Sequence, residues 1–91
     1  MEPVRKRIVF NGWVQGVGLR FRAIQAANMH GVTGWVRNDP DGTVTMEIQG
    51  TQEQIDQVIA AIKNGRFISI DRMDVVSLPV LEGERAFRYV I

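Results

Sequence analysis

The run Val32-Thr33-Gly34-Trp35-Val36-Arg37-Asn38-Asp39-Pro40-Asp41-Gly42-Thr43-Val44-Thr45-Met46-Glu47-Ile48-Gln49 contains two extended stretches and a turn. In its second half Val44, Met46 and Ile48 alternate with Thr43, Thr45, Glu47 and Gln49. That alternation predicts a strand with one buried face and one wet face. Val32 to Asn38 is also extended in character, and Asn38-Asp39-Pro40-Asp41-Gly42 between them is dense in turn-forming residues. The whole reads as a β-hairpin.

Moving outward from the hairpin, each side gives a helix and then a strand. Upstream, Leu19 to His30 favours helix, with Phe21, Ile24 and Ala27 on one stripe and Gly31 as the stop. Before it, Ile8, Phe10, Gly12 and Val14 alternate with Val9, Asn11 and Trp13, a strand expected to be largely covered on both faces. Downstream, Thr51 and Gln54 have capping-box spacing, and Ile55, Val58, Ile59 and Ile62 mark a helical apolar face that Gly65 should end. Ile68 to Leu78 reads as a strand whose alternation slips between Ile70 and Met73, which points to a bulge. Phe87, Tyr89 and Ile91 form a short last strand. The order is β-α-β-β-α-β plus that strand. Two helices on one face of a mainly antiparallel sheet bury these stripes, the ferredoxin-like α+β arrangement. Many unrelated functions use this arrangement, so the fold alone leaves function open.

At 91 residues one domain is expected, covering 1–91. The absence of cysteine removes disulfides, thiolate metal sites and a cysteine nucleophile, and a single histidine disfavours the common zinc constellations. A net charge of +1 does not suggest a chain that coats nucleic acid or an anionic membrane. No run approaches the roughly 20 apolar residues of a membrane span, and no signal peptide is evident. The expectation is therefore a cytoplasmic protein without metal, cofactor, membrane or nucleic-acid partner. RNA-recognition domains share the element order, but they stack bases on aromatics of central strands. Thr43, Thr45, Glu47 and Gln49 offer no aromatic there.

The chemistry is concentrated in Gly12-Trp13-Val14-Gln15-Gly16-Val17-Gly18-Leu19-Arg20, which leaves a strand and enters a helix. The first N–H groups of a helix lack internal partners and carry the positive end of its dipole, which favours an anion. Glycines let successive N–H groups converge on a ligand, and Arg20 can grip two phosphate oxygens at once. A tight strand-to-helix turn with Arg20 in solvent explains the same glycines equally well. The segment lacks the GxxxxGK[ST] pattern of a nucleoside triphosphatase and the full GxGxxG of a dinucleotide site.

Gly12 to Arg20 closely resembles the first signature of the acylphosphatase family, G-x-V-Q-G-V-x-[FY]-R. Gly34-Trp35-Val36-Arg37-Asn38 followed by Asp41-Gly42-Thr43-Val44 resembles the second, G-W-V-x-N with D-G-x-V, at the family's separation. Beyond about Gly65 the likeness is one of general pattern. The resemblance implies a metal-free hydrolase of acyl phosphates. Arg20 matches the family's phosphate-binding arginine and Asn38 the asparagine that positions water. Backbone N–H groups of Gln15, Gly16, Val17, Gly18 and Leu19 would bind the phosphoryl group, and the substrate's own phosphate would accept the water's proton. Leu19 departs from the pattern, standing where the family has Phe or Tyr; it is expected to alter packing under the loop. A monomer is expected. The competing reading is a non-catalytic anion-binding or interaction domain of the same shape, against which the retention of both Arg20 and Asn38 argues.

Other residues have plainer readings. His30 suits a helix C-terminus as a capping or dipole partner. Asp39 and Asp41 suit local hydrogen bonds of the turn rather than catalysis. Trp13 and Trp35 are expected to pack on the sheet, with contact to an acyl group as the alternative. Arg5, Lys6 and Arg7 are expected on a solvated strand edge.

Overall fold

The alternation around the turn does produce a hairpin. In the computed structural model, which describes residues 2–91, β2 (Thr33–Asn38) pairs antiparallel with β3 (Val44–Gly50). Of the expected 1–91 domain only Met1 lies outside the described residues. The remaining elements are β1 (Val4–Trp13), α1 (Leu19–His30), α2 (Gln52–Lys63), β4 (Ser69–Leu78) and β5 (Phe87–Val90). They build a five-stranded sheet of order β4-β1-β3-β2-β5. β1 is antiparallel to both β3 and β4, whereas β5 runs parallel to β2. The ferredoxin-like arrangement with an added strand is as the sequence implied.

The core lies between this sheet and the two helices. Ile8 and Phe10 of β1, Val36 of β2, and Val44, Met46 and Ile48 of β3 are fully buried. Ile55, Val58 and Ile62 of α2 meet them, with Ile59 partly buried at the margin. Thr51 caps α2 as the spacing required: its side chain accepts from Gln54 N, and Gln54 Oε1 accepts from Thr51 N at 2.9 Å. The expected bulge is present. Asn11 pairs with Arg72 and Gly12 with Ile70, which leaves Asp71 as the extra residue.

Several expectations are corrected. Phe21 is 71% exposed; Ala27 is buried and Ile24 partly buried as expected, and Leu19, Ala23 and Ala26 complete the buried stripe of α1. Leu19 fixes the phase of the helix, and a residue two positions on is turned about 200° away from it. From Val9 onward the outer face of β1 is only partly covered: Val9 and Asn11 are half-buried and Trp13 is exposed. α2 ends at Lys63 with Asn64 as its right-handed cap. Gly65 follows that cap and packs close to the Ile68 side chain, whose end would have to shift to admit a Cβ. Gly31 does end α1 in a left-handed conformation.

The face of the sheet away from the helices is less wet than the alternation implied. Thr45 and Glu47 are buried there, and so is Arg5, which lies on an internal strand rather than an edge. Arg5 donates to Glu47 at 3.0 Å and to Glu84 at 2.8 Å, while Arg7 donates to the other Glu47 oxygen at 2.8 Å. The segment after β4 returns across this face, where Gln49 accepts from Leu81 N and donates to Leu81 O. Among the described residues no helix is long and apolar enough to cross a membrane.

Candidate active site

The loop from β1 to α1 is held into the core at both ends, by Val14 and Leu19, each almost fully buried. Between them Gly16 and Gly18 have φ of 72° and 81°, with Val17 at negative φ between the two. Nothing lies within 4 Å of a Cβ built at either glycine, so the requirement is conformational rather than steric. Gly18 is the N-cap of α1 and supplies no side-chain cap, and the first turn has no acidic residue. The helix therefore presents unpartnered N–H groups at an uncompensated positive end.

This end of α1 meets the ends of two strands. A cavity of about 150 Å³ is lined by Gly16, Gly18, Leu19 and Arg20, and across from them by Asn38 and Tyr89. Val14 and Phe21 complete its wall. The Arg20 guanidinium lies over the Tyr89 ring, 4.1 Å from its centroid. Among the described residues no carboxylate pairs with Arg20, so its donors are available to an anion. A larger groove of about 420 Å³ beside Lys63 and Ile70–Met73 contains none of these groups.

Asn38 ends β2, and the turn after it is tied to the loop. Gln15 Nε2 donates to Asp39 O at 2.7 Å and to Thr43 O at 2.8 Å. Asp39 is a structural acceptor, taking hydrogen bonds from Arg37 Nε at 3.0 Å and from Thr45 Oγ1 at 2.6 Å. Burial pushes its carboxyl up, but the hydrogen bonds from Thr45, Thr43 and Arg37 outweigh this and hold it below the usual carboxylate range. Hydrogen bonds from Thr43, side chain and main chain, likewise lower Asp41. Neither aspartate is suited to donate a proton near neutral pH.

Arg20, Asn38, Gly16, Gly18 and Leu19 are thus gathered around one cavity, whereas Gln15 and Val17 do not line it. Trp13 is 72% exposed, against the expectation that it packs, and Trp35 lies under Arg37, 5.0 Å from ring centroid to guanidinium carbon. Neither tryptophan reaches the cavity. His30 is in the last turn of α1, and the cap hydrogen bond there, to Ala27 O, comes from Gly31. Tyr89 and Phe21 are the residues that reading the sequence missed.

The acylphosphatase family profile matches residues 6–89. The chain belongs to the acylphosphatase family. The acylphosphatase of Bordetella parapertussis is 48% identical over 65 residues, covering 71% of this chain and 67% of that protein. That of Bifidobacterium longum is 40% identical over 86 residues, 92% of this chain and 89% of that one. The crystal structure of acylphosphatase from Bacillus subtilis superposes with a TM-score of 0.88 at 32% identity, covering 97% and 99% of the two chains. At one opening of this fold lie the N-terminal end of α1, the Arg20 side chain and the Asn38 side chain.

Proposed function

We propose that this chain hydrolyses acyl phosphates to a carboxylate and inorganic phosphate. The supporting observation is the single cavity that joins the glycine loop and Arg20 with Asn38. The N–H groups of residues 15 to 19 and the Arg20 guanidinium hold the phosphoryl oxygens and neutralise their charge. Asn38 orients a water through its amide, in line with the departing oxygen. The water oxygen bonds to phosphorus, the bond from phosphorus to the acyl oxygen breaks with its electrons, and the acyl group leaves as carboxylate. A phosphate oxygen takes the water's proton, so the products are carboxylate and dihydrogen phosphate. A carboxylate leaves without an acid, which agrees with the depressed Asp39 and Asp41 beside Asn38.

We further propose one domain over residues 1–91, acting as a monomer. A cytoplasmic location belongs to the same proposal. No metal or cofactor takes part. Hydrolysis of acetyl phosphate by the purified chain, with and without EDTA, tests this. Turnover should be unchanged by chelator, and glycerol phosphate should be cleaved far more slowly because its alkoxide needs an acid. Activity lost in EDTA and restored by Mg²⁺ would refute the mechanism.

A further inference from the structure

The position of Phe21 is unexplained by packing. It follows Arg20 in the first turn of α1, is 71% exposed, and lines the same cavity as Gly16, Gly18 and Asn38. A single exposed aromatic is ordinary on a protein surface. One that borders an anion cradle is not, since the cradle otherwise calls for polar walls. Tyr89 stands on the same cavity, 47% exposed, with one ring face already taken by Arg20. At about 150 Å³ the cavity is well under the roughly 300 Å³ at which pockets enclose whole small ligands. It takes the phosphoryl group, and the acyl group must then project to the mouth.

We infer that Phe21, with the free edge of Tyr89, forms an apolar flank that selects acyl phosphates with an aromatic or otherwise apolar acyl group. Acetyl and carbamoyl groups are too short and too polar to gain from it. An aromatic acyl group covers part of the Phe21 ring and adds an offset or edge contact of the kind aromatic pairs favour. Phe21 is thus a specificity residue for the proposed reaction, and the inference builds on that reaction.

Phosphonates separate recognition from turnover, because their carbon–phosphorus bond is not cleaved. Affinities of inorganic phosphate, methylphosphonate and benzylphosphonate are measured by calorimetry for the wild-type chain and for Phe21→Ala. Truncating so exposed a side chain empties no core. The wild type should bind benzylphosphonate about fivefold more tightly than methylphosphonate, and Phe21→Ala should remove that preference, as expected for one lost aromatic contact. Phe21→Leu should keep part of it. Equal affinity for the two phosphonates in the wild type, or a preference undiminished in Phe21→Ala, overturns the inference. Selective binding without hydrolysis of benzoyl phosphate would instead refute the proposed reaction and leave the flank standing. Failure to bind any of the three anions would overturn both.

Discussion

The Gln15 side-chain amide donates to the main-chain carbonyl of Asp39 at 2.7 Å, joining the glycine loop to the residue that follows Asn38. Its second bond, to Thr43 O, closes the turn from the other side. Added to the sheet pairing and the buried Val14 and Leu19, this side chain links the two halves of the cavity directly.

Gln15→Ala should therefore impair turnover more than substrate binding. Two side-chain hydrogen bonds are lost, at about 0.5–1.5 kcal/mol each, while Asp39 O still accepts from Gly42 N and Thr43 O from Asp39 N. The loop and Arg20 remain to bind phosphate, while Asn38 loses its position relative to them. Urea unfolding should report the stability loss, and kcat should fall while KM changes little. An unchanged kcat with reduced stability would restrict Gln15 to a structural role.

Arg20→Gln and Asn38→Ala should separate binding from alignment. The first removes a bidentate anion contact, so both inhibition by inorganic phosphate and turnover should collapse. The second should leave phosphate inhibition intact while turnover falls roughly 100-fold, the scale of lost alignment. Steady-state kinetics with phosphate as competitive inhibitor reads both. Loss of phosphate binding in folded Asn38→Ala would contradict the division of roles.

Tyr89 supports Arg20 from below, with the guanidinium 4.1 Å from the ring centroid. Tyr89→Phe preserves the ring face and should bind inorganic phosphate as the wild type does. Tyr89→Ala removes a contact worth about 0.5–1 kcal/mol and frees the guanidinium, so phosphate should bind two- to fivefold more weakly. Equal affinity in both variants would mean that the stack does not hold Arg20 in place.

Stability should fall in acid in a defined window. Burial raises the Glu47 carboxyl, but hydrogen bonds from Arg7 and Arg5 prevail and depress it, as those of Thr45, Thr43 and Arg37 depress Asp39. A depressed folded pKa contributes stability that is complete above the unfolded value and lost as pH falls through the folded one. The loss should therefore begin near pH ~4–5, where free carboxylates titrate, and continue below it. Urea midpoints between about pH 7 and pH 3 should drop more steeply in the wild type than in Asp39→Asn, whose side chain no longer titrates. Parallel curves would exclude Asp39 from the acid transition.

What the sequence determined by itself was local. The Thr51–Gln54 capping box, the turn after Asn38, the slip between Ile70 and Met73 and the glycine loop into α1 all depend on neighbours within a few residues, and each is found as spelled out. Arg20 and Asn38 each stand inside a short, distinctive motif, and the fold brings both to one cavity. Phe21 was misplaced because the buried stripe of α1 is mostly alanine, which gives a weak periodic signal, and only the seat of Leu19 in the core sets the rotation of the helix. The buried Arg5 was unreadable because its partner Glu84 is 79 positions away. Tyr89 entered the site only when β5 crossed the sheet to lie parallel beside β2, pairing Tyr89 with Val36 two residues before Asn38. Periodicity assigns a residue to a face of its own element; which element lies opposite that face is decided by long-range pairing, and that exists only in the folded chain.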